Sequence, residues 1–439
     1  MRSPILWLFC LIVAPYAALG QTDHWNEALK TAQTAYTQGQ YREAESMFVQ
    51  AQKEAESFGP LDHRLAMTLT NLAGLYVREA RYTEAEPLFK RALGIWEEDR
   101  ESETTDRATT LNNLAALYTH QSRYGEAELL FRQCLALREK SLGPDHPEVA
   151  NALNNLGELY WEQGKLAEAE PLFRRAVFIK EKTLGPGDPE VATSLNNLAA
   201  LYTRQGKYAE GESVFKKVLS IRQAAFGPEH PDVADSLNNL AAVYSLEGRY
   251  SEAEPLYKRS LTLAEKTLGP NHPDVAAGLN NLAELYRSQQ KYAEAEPLFR
   301  RALSIRESAL GPDHPDVAQS LDNLAGVLLL KCKEVNVDLL YLRAVAIRKK
   351  VFGPDSSEVM ASLSDLGVSY TQEGKFPDAE RAFSDALTIN AKLPKTDAPT
   401  LATVYANMAK LYLCEGKHKK ARKMAEKAKA YRHQEDSTI

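Results

Sequence analysis

Cysteine is scarce: four in 439 residues, at positions 10, 134, 332 and 414. So few thiols, this far apart, exclude a disulfide framework, and no cluster of ligands suggests a structural metal. Charge of one sign is missing too. Lys and Arg number 53 against 59 Asp and Glu, a formal net charge of −6, so there is no chain-wide footprint for nucleic acid. No apolar run reaches the ~20 residues that a spanning helix needs, which excludes a multi-span membrane protein. Catalytic signatures are absent as well: there is no Gly-x-Ser-x-Gly elbow, no His-Glu-x-x-His, no phosphate-cradling Gly-rich loop and no Cys-x-x-Cys. Gly164-Lys165 and Gly206-Lys207 are followed by Leu166 and Tyr208 where a phosphate loop would carry Ser or Thr. A protein that is not an enzyme, with no cofactor and no metal, is expected.

What is present is globular. Hydrophobic residues make up 44% and charged residues 26% of the chain, enough to bury a substantial core. Single cores stop growing near about 250–300 residues. A chain of 439 residues is therefore several domains or a repeat array.

The first twenty residues read as a secretory signal peptide. Arg2 is their only charge, an apolar stretch runs from Ile5 to Ala14, and the small residues Ala18 and Gly20 fit a cleavage site before Gln21. Phe9 ahead of Cys10 argues against a lipid-anchored cysteine, and an uncleaved N-terminal anchor is the alternative. Cleavage implies an extracytoplasmic protein, periplasmic or secreted, with a net charge of −7 once Arg2 is lost. Cys134, Cys332 and Cys414 are then expected as buried or half-buried thiols on helices.

A period of 42 residues organises the remainder. The string Leu-Asn-Asn-Leu-Ala-x-Leu/Val-Tyr, or a close variant, places Asn113, Asn155, Asn197, Asn239 and Asn281 at one equivalent position. Steps of 42 reach Asn71, Asn323, Asp365 and Asn407. Fixed spacing of this kind means one supersecondary element stacked on its copies. In residues 145–186, Leu153, Leu156, Leu159 and Tyr160 form one face of a first helix. Gln163-Gly164-Lys165 breaks it, and Ala169, Leu172, Phe173, Ala176, Val177 and Ile179 mark a second. Thr83-x-x-Glu86 and Ser251-x-x-Glu254 read as capping boxes for second helices, with Pro171 and Pro255 near the first turn. Second helices stop at Gly143, Gly185, Gly227, Gly269, Gly311 and Gly353, each followed by Pro. Asp145-His146-Pro147-Glu148 and its copies restart the next helix. His146, His230, His272 and His314 recur too far apart to share one metal, so they read as loop and cap residues.

Leu114-Ala115 with Tyr118, then Tyr124, Ala127, Phe131 and Cys134, resembles the 34-residue tetratricopeptide repeat. Eight further residues per unit, as in Arg138-Glu139-Lys140-Ser141-Leu142-Gly143-Pro144-Asp145-His146-Pro147, resemble the longer repeats of kinesin light chains. The resemblance implies an all-α, right-handed superhelical solenoid of about ten helix-turn-helix repeats. The division read from the period is a signal peptide over 1–20 and a degenerate N-terminal repeat over 21–60. Eight 42-residue repeats follow over 61–396 (61–102, 103–144, 145–186, 187–228, 229–270, 271–312, 313–354, 355–396), then a C-terminal capping repeat over 397–432 and a tail over 433–439. Unit 61–102 lacks the Gly-Pro stop, and unit 313–354 loses the turn signature at Lys331-Cys332-Lys333-Glu334. With a signal sequence where kinesin light chains carry a heptad-rich segment, a motor-adaptor role is not expected.

By the same resemblance, an extended peptide would lie along the concave side of the first helices, its backbone clamped by Asn side chains. An amide carries both donor and acceptor and can pair with a peptide unit of any sequence. The candidates are Asn112, Asn113, Asn154, Asn155, Asn196, Asn197, Asn238, Asn239, Asn280 and Asn281. The alternative is that these amides bond helix ends or adjacent repeats, and both roles are compatible. Specificity would come from variable positions, notably Glu158, Trp161, Glu284 and Arg287, with Trp161 an aromatic anchor or a packing residue. Leu328-Leu329-Leu330 would turn two leucines toward the groove.

Residues 417–432 carry eight Lys or Arg against Glu426 alone, a net of +7, leaving −14 on the rest of the mature chain. Ala421, Met424, Ala425 and Ala428 keep one face small and apolar, so this is expected to be the polar end cap of the array. Membrane contact, if any, would run through this helix. The expected function is an exported, non-enzymatic scaffold for a protein or peptide partner, with no nucleic acid. The alternatives are a self-assembling or envelope-structural protein, or a non-catalytic subunit of an enzyme complex.

Overall fold

The computed structural model describes residues 23–98, 105–331, 337–393 and 397–436; residues 1–20, read above as a signal peptide, Cys10, Cys332 and the tail from 437 lie outside them. The described residues form twenty α-helices in consecutive pairs and no strand. Two compact units divide the chain, Met1–Pro270 and Asn271–Ile439.

The first unit runs α1 (Asp23–Thr37), α2 (Tyr41–Ser57), α3 (His63–Arg78), α4 (Tyr82–Glu98), α5 (Thr105–His120), α6 (Tyr124–Leu142), α7 (Pro147–Glu162), α8 (Leu166–Leu184), α9 (Pro189–Arg204), α10 (Tyr208–Phe226), α11 (Pro231–Leu246) and α12 (Tyr250–Leu268). The second runs α13 (Pro273–Ser288), α14 (Tyr292–Leu310), α15 (Pro315–Lys331), α16 (Asp338–Phe352), α17 (Ser357–Gln372), α18 (Phe376–Lys392), α19 (Ala398–Cys414) and α20 (His418–Asp436). Each odd-numbered helix packs on the even-numbered one after it. Within the units, consecutive odd-numbered helices also touch (α3 with α5, α5 with α7, α7 with α9, α17 with α19), whereas even-numbered ones do not approach so closely. The first helices therefore form the inner side of each stack.

Local chemistry sets the helix ends. Gly143, Gly185, Gly227, Gly269, Gly311 and Gly353 have φ between 85° and 90°. Gly143 combines φ 89° with ψ 157°, an extended mirror region open in practice only to Gly, instead of the left-handed helical cap. The following Pro explains the difference, because it drives ψ of the preceding residue into the extended range. At the next helix the imidazoles cap: His146, His230 and His272 Nδ1 each accept the N–H two residues on at 3.2 Å, and His314 does so at 3.1 Å. Asp188 does the same with Glu190 at 2.8 Å.

Second helices start otherwise than the capping-box reading holds. Helix α12 begins at Tyr250, one residue before Ser251, and its cap Arg249 makes no side-chain cap bond. Arg249 instead fans out to Glu212, Glu247 and Glu252 and lies over the Tyr244 ring at 4.0 Å. Pro171 and Pro255 are the sixth residues of their helices, so they lie inside the second turn and not the first.

The core is the aromatic and small-residue stripe between paired helices. Phe131, Phe173 and Phe299 are fully buried, as are Ala127, Ala169, Ala176 and Ala302. Helix α7 can approach α8 closely because Gly157 lacks a side chain: a Cβ there would stand 2.8 Å from Phe173 Cε1. In the irregular repeat Tyr341, Ala344 and Ile347 are buried, and of the three leucines expected to turn two toward the groove, Leu328 and Leu329 are buried and Leu330 is exposed. Cys134 is buried, whereas Cys414 is exposed at the end of α19, as Gln372, Leu330 and Ser288 are at the same place in earlier repeats. On α20, Ala421 and Ala428 are buried and Ala425 is exposed, so the apolar stripe is narrower than the spacing suggests.

Turns between paired helices need a left-handed residue. Gly164, Gly206 and Gly248 supply it at φ 74–76°, but Gln290 occupies the same place at φ 61°. A side chain in that region costs about 1–2 kcal/mol. Gln290→Gly is expected to stabilise the protein by about 1 kcal/mol, read as a higher denaturant midpoint.

Candidate functional site

The inner face of the first helices is largely covered in the N-terminal unit. Nine of the fourteen candidate side chains are buried: Asn112, Asn113, Asn154, Glu158, Trp161, Asn196, Asn197, Asn239 and Asn280. Asn155, Asn238, Asn281, Glu284 and Arg287 are half-buried.

Several of the Asn amides reach across repeats. Asn155 Nδ2 donates to Asn112 Oδ1 at 2.5 Å, and Asn239 Nδ2 to Asn196 Oδ1 at 2.8 Å. Both pairs are 43 residues apart, one more than the period, so the second Asn of one unit meets the first Asn of the unit before it. Asn407 repeats the contact on Ser364 at 3.1 Å, and Asn154 donates to Ser194 at 2.8 Å. These bonds satisfy buried polar groups that would otherwise cost stability, and they set the register of one first helix on the next. They are contacts between adjacent repeats, one of the two roles the sequence left open.

Trp161 is 4% exposed and lies under Arg204, whose guanidinium carbon is 4.1 Å from the ring centroid and which donates to the Trp161 carbonyl at 2.7 Å. It is packed, not presented. Glu158 is 2% exposed, and burial, reinforced by Glu162, holds its carboxyl pKa well above the usual carboxylate range. A carboxyl whose pKa is raised on folding contributes its stability below the unfolded value and loses it as pH rises. Glu158→Gln is expected to match the wild type near pH 4 and to exceed its stability at pH 8, measured by denaturation at the two values.

One set of residues escaped sequence reasoning. Arg138, Lys180, Arg222, Arg306 and Arg348 stand 42 residues apart (84 across Ala264) and are all buried. Each ties a second helix to the start of the following first helix. Arg222 Nη1 donates to the Asp232 carbonyl and to Ser236 Oγ, both at 3.1 Å. Arg306 Nη1 makes the same two bonds, to Asp316 at 3.0 Å and Ser320 at 2.9 Å. Its guanidinium also faces Asn280, whose amide, turned oxygen-first, accepts at 3.0 and 3.2 Å. Arg138 bonds the Glu148 carbonyl at 3.1 Å and its carboxylate at 2.9 Å. Lys180 lies 3.4 Å from Glu190, and burial pulls its pKa down against that attraction. The signal was the basic residue in each Ile/Leu-Arg string, legible as a repeat feature but not as a buried one.

The inner face opens in the C-terminal unit. Glu284 and Arg287 form a half-buried ion pair at 2.5 Å on α13, and Ala361, Asp365, Thr403 and Lys410 are exposed on α17 and α19. Among the described residues no group of three His, Cys, Asp or Glu could hold a metal, and no helix is long and apolar enough to cross a membrane.

Paired helices, glycine stops and inter-repeat amide contacts define a helical repeat protein in which the first helices line the inner face of each unit. The tetratricopeptide repeat family model matches residues 25–98, 106–182, 190–266, 237–308, 274–333 and 358–432; the chain belongs to the tetratricopeptide repeat family. No curated protein matches it. Among solved structures it is similar to a predicted kinesin light chain of nearly identical TPR-like repeats from Podosopora anserina, at 28% identity over 47% of this chain and 98% of that one, with a TM-score of 0.39. A Rap protein in complex with Competence and Sporulation Factor shares the fold at 14% identity over 84% of this chain and 98% of that one, with a TM-score of 0.53.

Proposed function

We propose that this protein is an exported, non-catalytic scaffold that binds a protein or peptide partner on the inner face of its first helices. The observation that carries the reading is the family's paired-helix array with a polar inner face left open in the C-terminal unit, where Asn281, Glu284 and Arg287 are half-buried and Asp365 is exposed. The Rap protein in complex with a factor is a precedent for ligand capture by this fold. In the N-terminal unit Asn155 and Asn238 retain partial access, while the buried amides hold the repeats in register. Export rests on the pattern of residues 1–20 and predicts a mature chain beginning at Gln21.

Affinity capture tests both parts. Protein purified from its source cell is fractionated and sequenced from its N-terminus; Gln21 in the extracytoplasmic fraction supports export with cleavage, and an intact Met1 on cytoplasmic protein refutes export. The mature chain and a Glu284→Ala/Arg287→Ala variant are then offered to an extracytoplasmic extract. A half-buried i,i+3 ion pair of this kind, still open to solvent, adds only on the order of 1 kcal/mol, so the variant should fold. A partner held by the first and lost by the second supports the inner-face scaffold. Equal capture by both moves the contact elsewhere, and no capture at all removes the reading.

A further inference from the structure

The amide contact that recurs between first helices is replaced once by two acids. The offset of 43 that joins Asn155 to Asn112, Asn239 to Asn196 and Asn407 to Ser364 sets Asp365 of α17 against Asp322 of α15. Asp322 has its counter-charge: Arg348 Nη1 is 2.6 Å from its Oδ2 and also donates to Ser362. On α13, Arg287 is committed to Glu284 at 2.5 Å. Asp365 is left without an ion pair or hydrogen bond among the described residues, on a side chain open to solvent.

A second, independent feature faces the same place. Tyr341 of α16 stands where Phe131, Phe173, Phe215 and Phe299 stand in other repeats, with Tyr257 the other tyrosine of the row, and it is 7% exposed. Its hydroxyl has no hydrogen-bond partner among the described residues. It lies 3.9 Å from the position a Cβ on Gly326 would take, and Arg287 Nη1 lies at the same distance. Glu158 and Glu284 occupy the Gly326 position in other repeats, so here a side chain is withheld where the hydroxyl emerges. The charges of Asp365 and Asp322 both act on Tyr341, and Arg287 opposes them.

We propose that Asp365, the Tyr341 hydroxyl and the space over Gly326 form a subsite for a basic side chain, lysine or arginine, of a bound polypeptide. The ledger of charge supports this. Arg348 with Asp322 and Arg287 with Glu284 are neutral pairs, and Asp365 contributes an unbalanced negative charge. A guanidinium or ammonium supplies the positive charge and the N–H donors that Asp365 and the Tyr341 oxygen lack. Asp365 keeps contact with solvent, yet the protein around its carboxyl disfavours the charged form; its pKa is pushed up to about 7, first by that desolvation and then by Asp322, with Arg348 opposing. Occupation by a cation would therefore be linked to release of a proton near neutral pH. The subsite rests on the scaffold reading, since it names the chemistry of the partner on the same inner face.

The test is calorimetry of the mature chain with three probes at millimolar concentration: acetyl-Gly-Gly-Arg-Gly-Gly-amide, its lysine counterpart and its citrulline counterpart. The expected result is binding of the basic peptides at least about tenfold tighter than citrulline at pH 8, weakening at pH 6 as Asp365 takes up its proton. Asp365→Asn and Gly326→Leu should each reduce that binding at least about fivefold. Asp365→Asn introduces the residue that other repeats carry here, so it should fold; Gly326→Leu fills the space without changing charge. Citrulline binding as well as arginine, wild-type affinity in Asp365→Asn, or no binding of a basic peptide overturns the subsite. If partner capture nevertheless persists in both variants, the scaffold reading stands without it; if basic peptides bind but capture fails, the reverse holds.

Discussion

Asn155→Ala/Asn239→Ala should lose about 2–6 kcal/mol of stability, because each change leaves a buried amide oxygen, on Asn112 or Asn196, without its donor at about 1–3 kcal/mol apiece. The two sites lie in separate inter-repeat contacts, so the losses should be nearly additive. In a repeat array each unit touches only its neighbours, and weakened interfaces uncouple them. Urea unfolding followed by circular dichroism is therefore expected to show an earlier and broader transition than the wild type. A transition that does not move would mean that the amides contribute nothing to cohesion and are free for a ligand. The partner-binding readout alone would not separate these roles, since an uncoupled array also loses its binding face.

Arg306→Ala should cost about 3 kcal/mol or more. The guanidinium is 8% exposed and bonds the Asp316 carbonyl, Ser320 Oγ and the Asn280 amide, linking α14, α15 and α13 in one repeat junction. Hydrogen bonds to a charged group contribute about 1.5–3 kcal/mol each, and their loss leaves three buried polar groups unpaired. Ala264 provides the internal comparison. It is the one Ala in this row, and there Ser260 donates to the Ala234 carbonyl at 2.6 Å, a neighbouring solution to the same joint. Thermal unfolding of Arg306→Ala and Arg306→Lys distinguishes charge from geometry. If the planar fork matters, Lys should recover only part of the loss.

These two contacts explain what the Asn pairs and the Ile/Leu-Arg strings do. Both recur at the 42-residue period because both serve the joint between repeats, and that joint is the same each time. Departures from the repeat are correspondingly informative. Tyr257 and Gly74 show that Tyr and Gly each occur at these positions elsewhere, but only one junction, in the C-terminal unit, joins Tyr341 and Gly326 with Asp365 against Asp322. A change that weakens cohesion at one joint without repair from its neighbours is where function is best sought.

The periodicity was legible in full. Leu153, Leu156 and Tyr160 on one helix and Phe173 and Ala176 on the next could be placed face to face from spacing alone, since burial of an apolar stripe is a local, repeated requirement. Gly143 before Pro144 marked a stop for a reason confined to two residues. Which polar residues line the inner face was not legible in the same way. Asn155 and Asn154 are chemically identical neighbours, yet one bonds the preceding repeat and the other bonds the following one. Glu158 read as a groove specificity residue and is buried, and Trp161, left open between anchor and packing residue, is packed, because first helices approach each other closely enough to cover them.

Sequence alone determined the helix-pair unit, its length, its stops and its family, because each depends on hydrophobic spacing and on Gly and Pro within a few residues. Only tertiary structure decided which amides are joints, which cations are buried and where the inner face stays open. Those depend on the distance between neighbouring first helices, a quantity set by packing across 42 residues that no single repeat encodes.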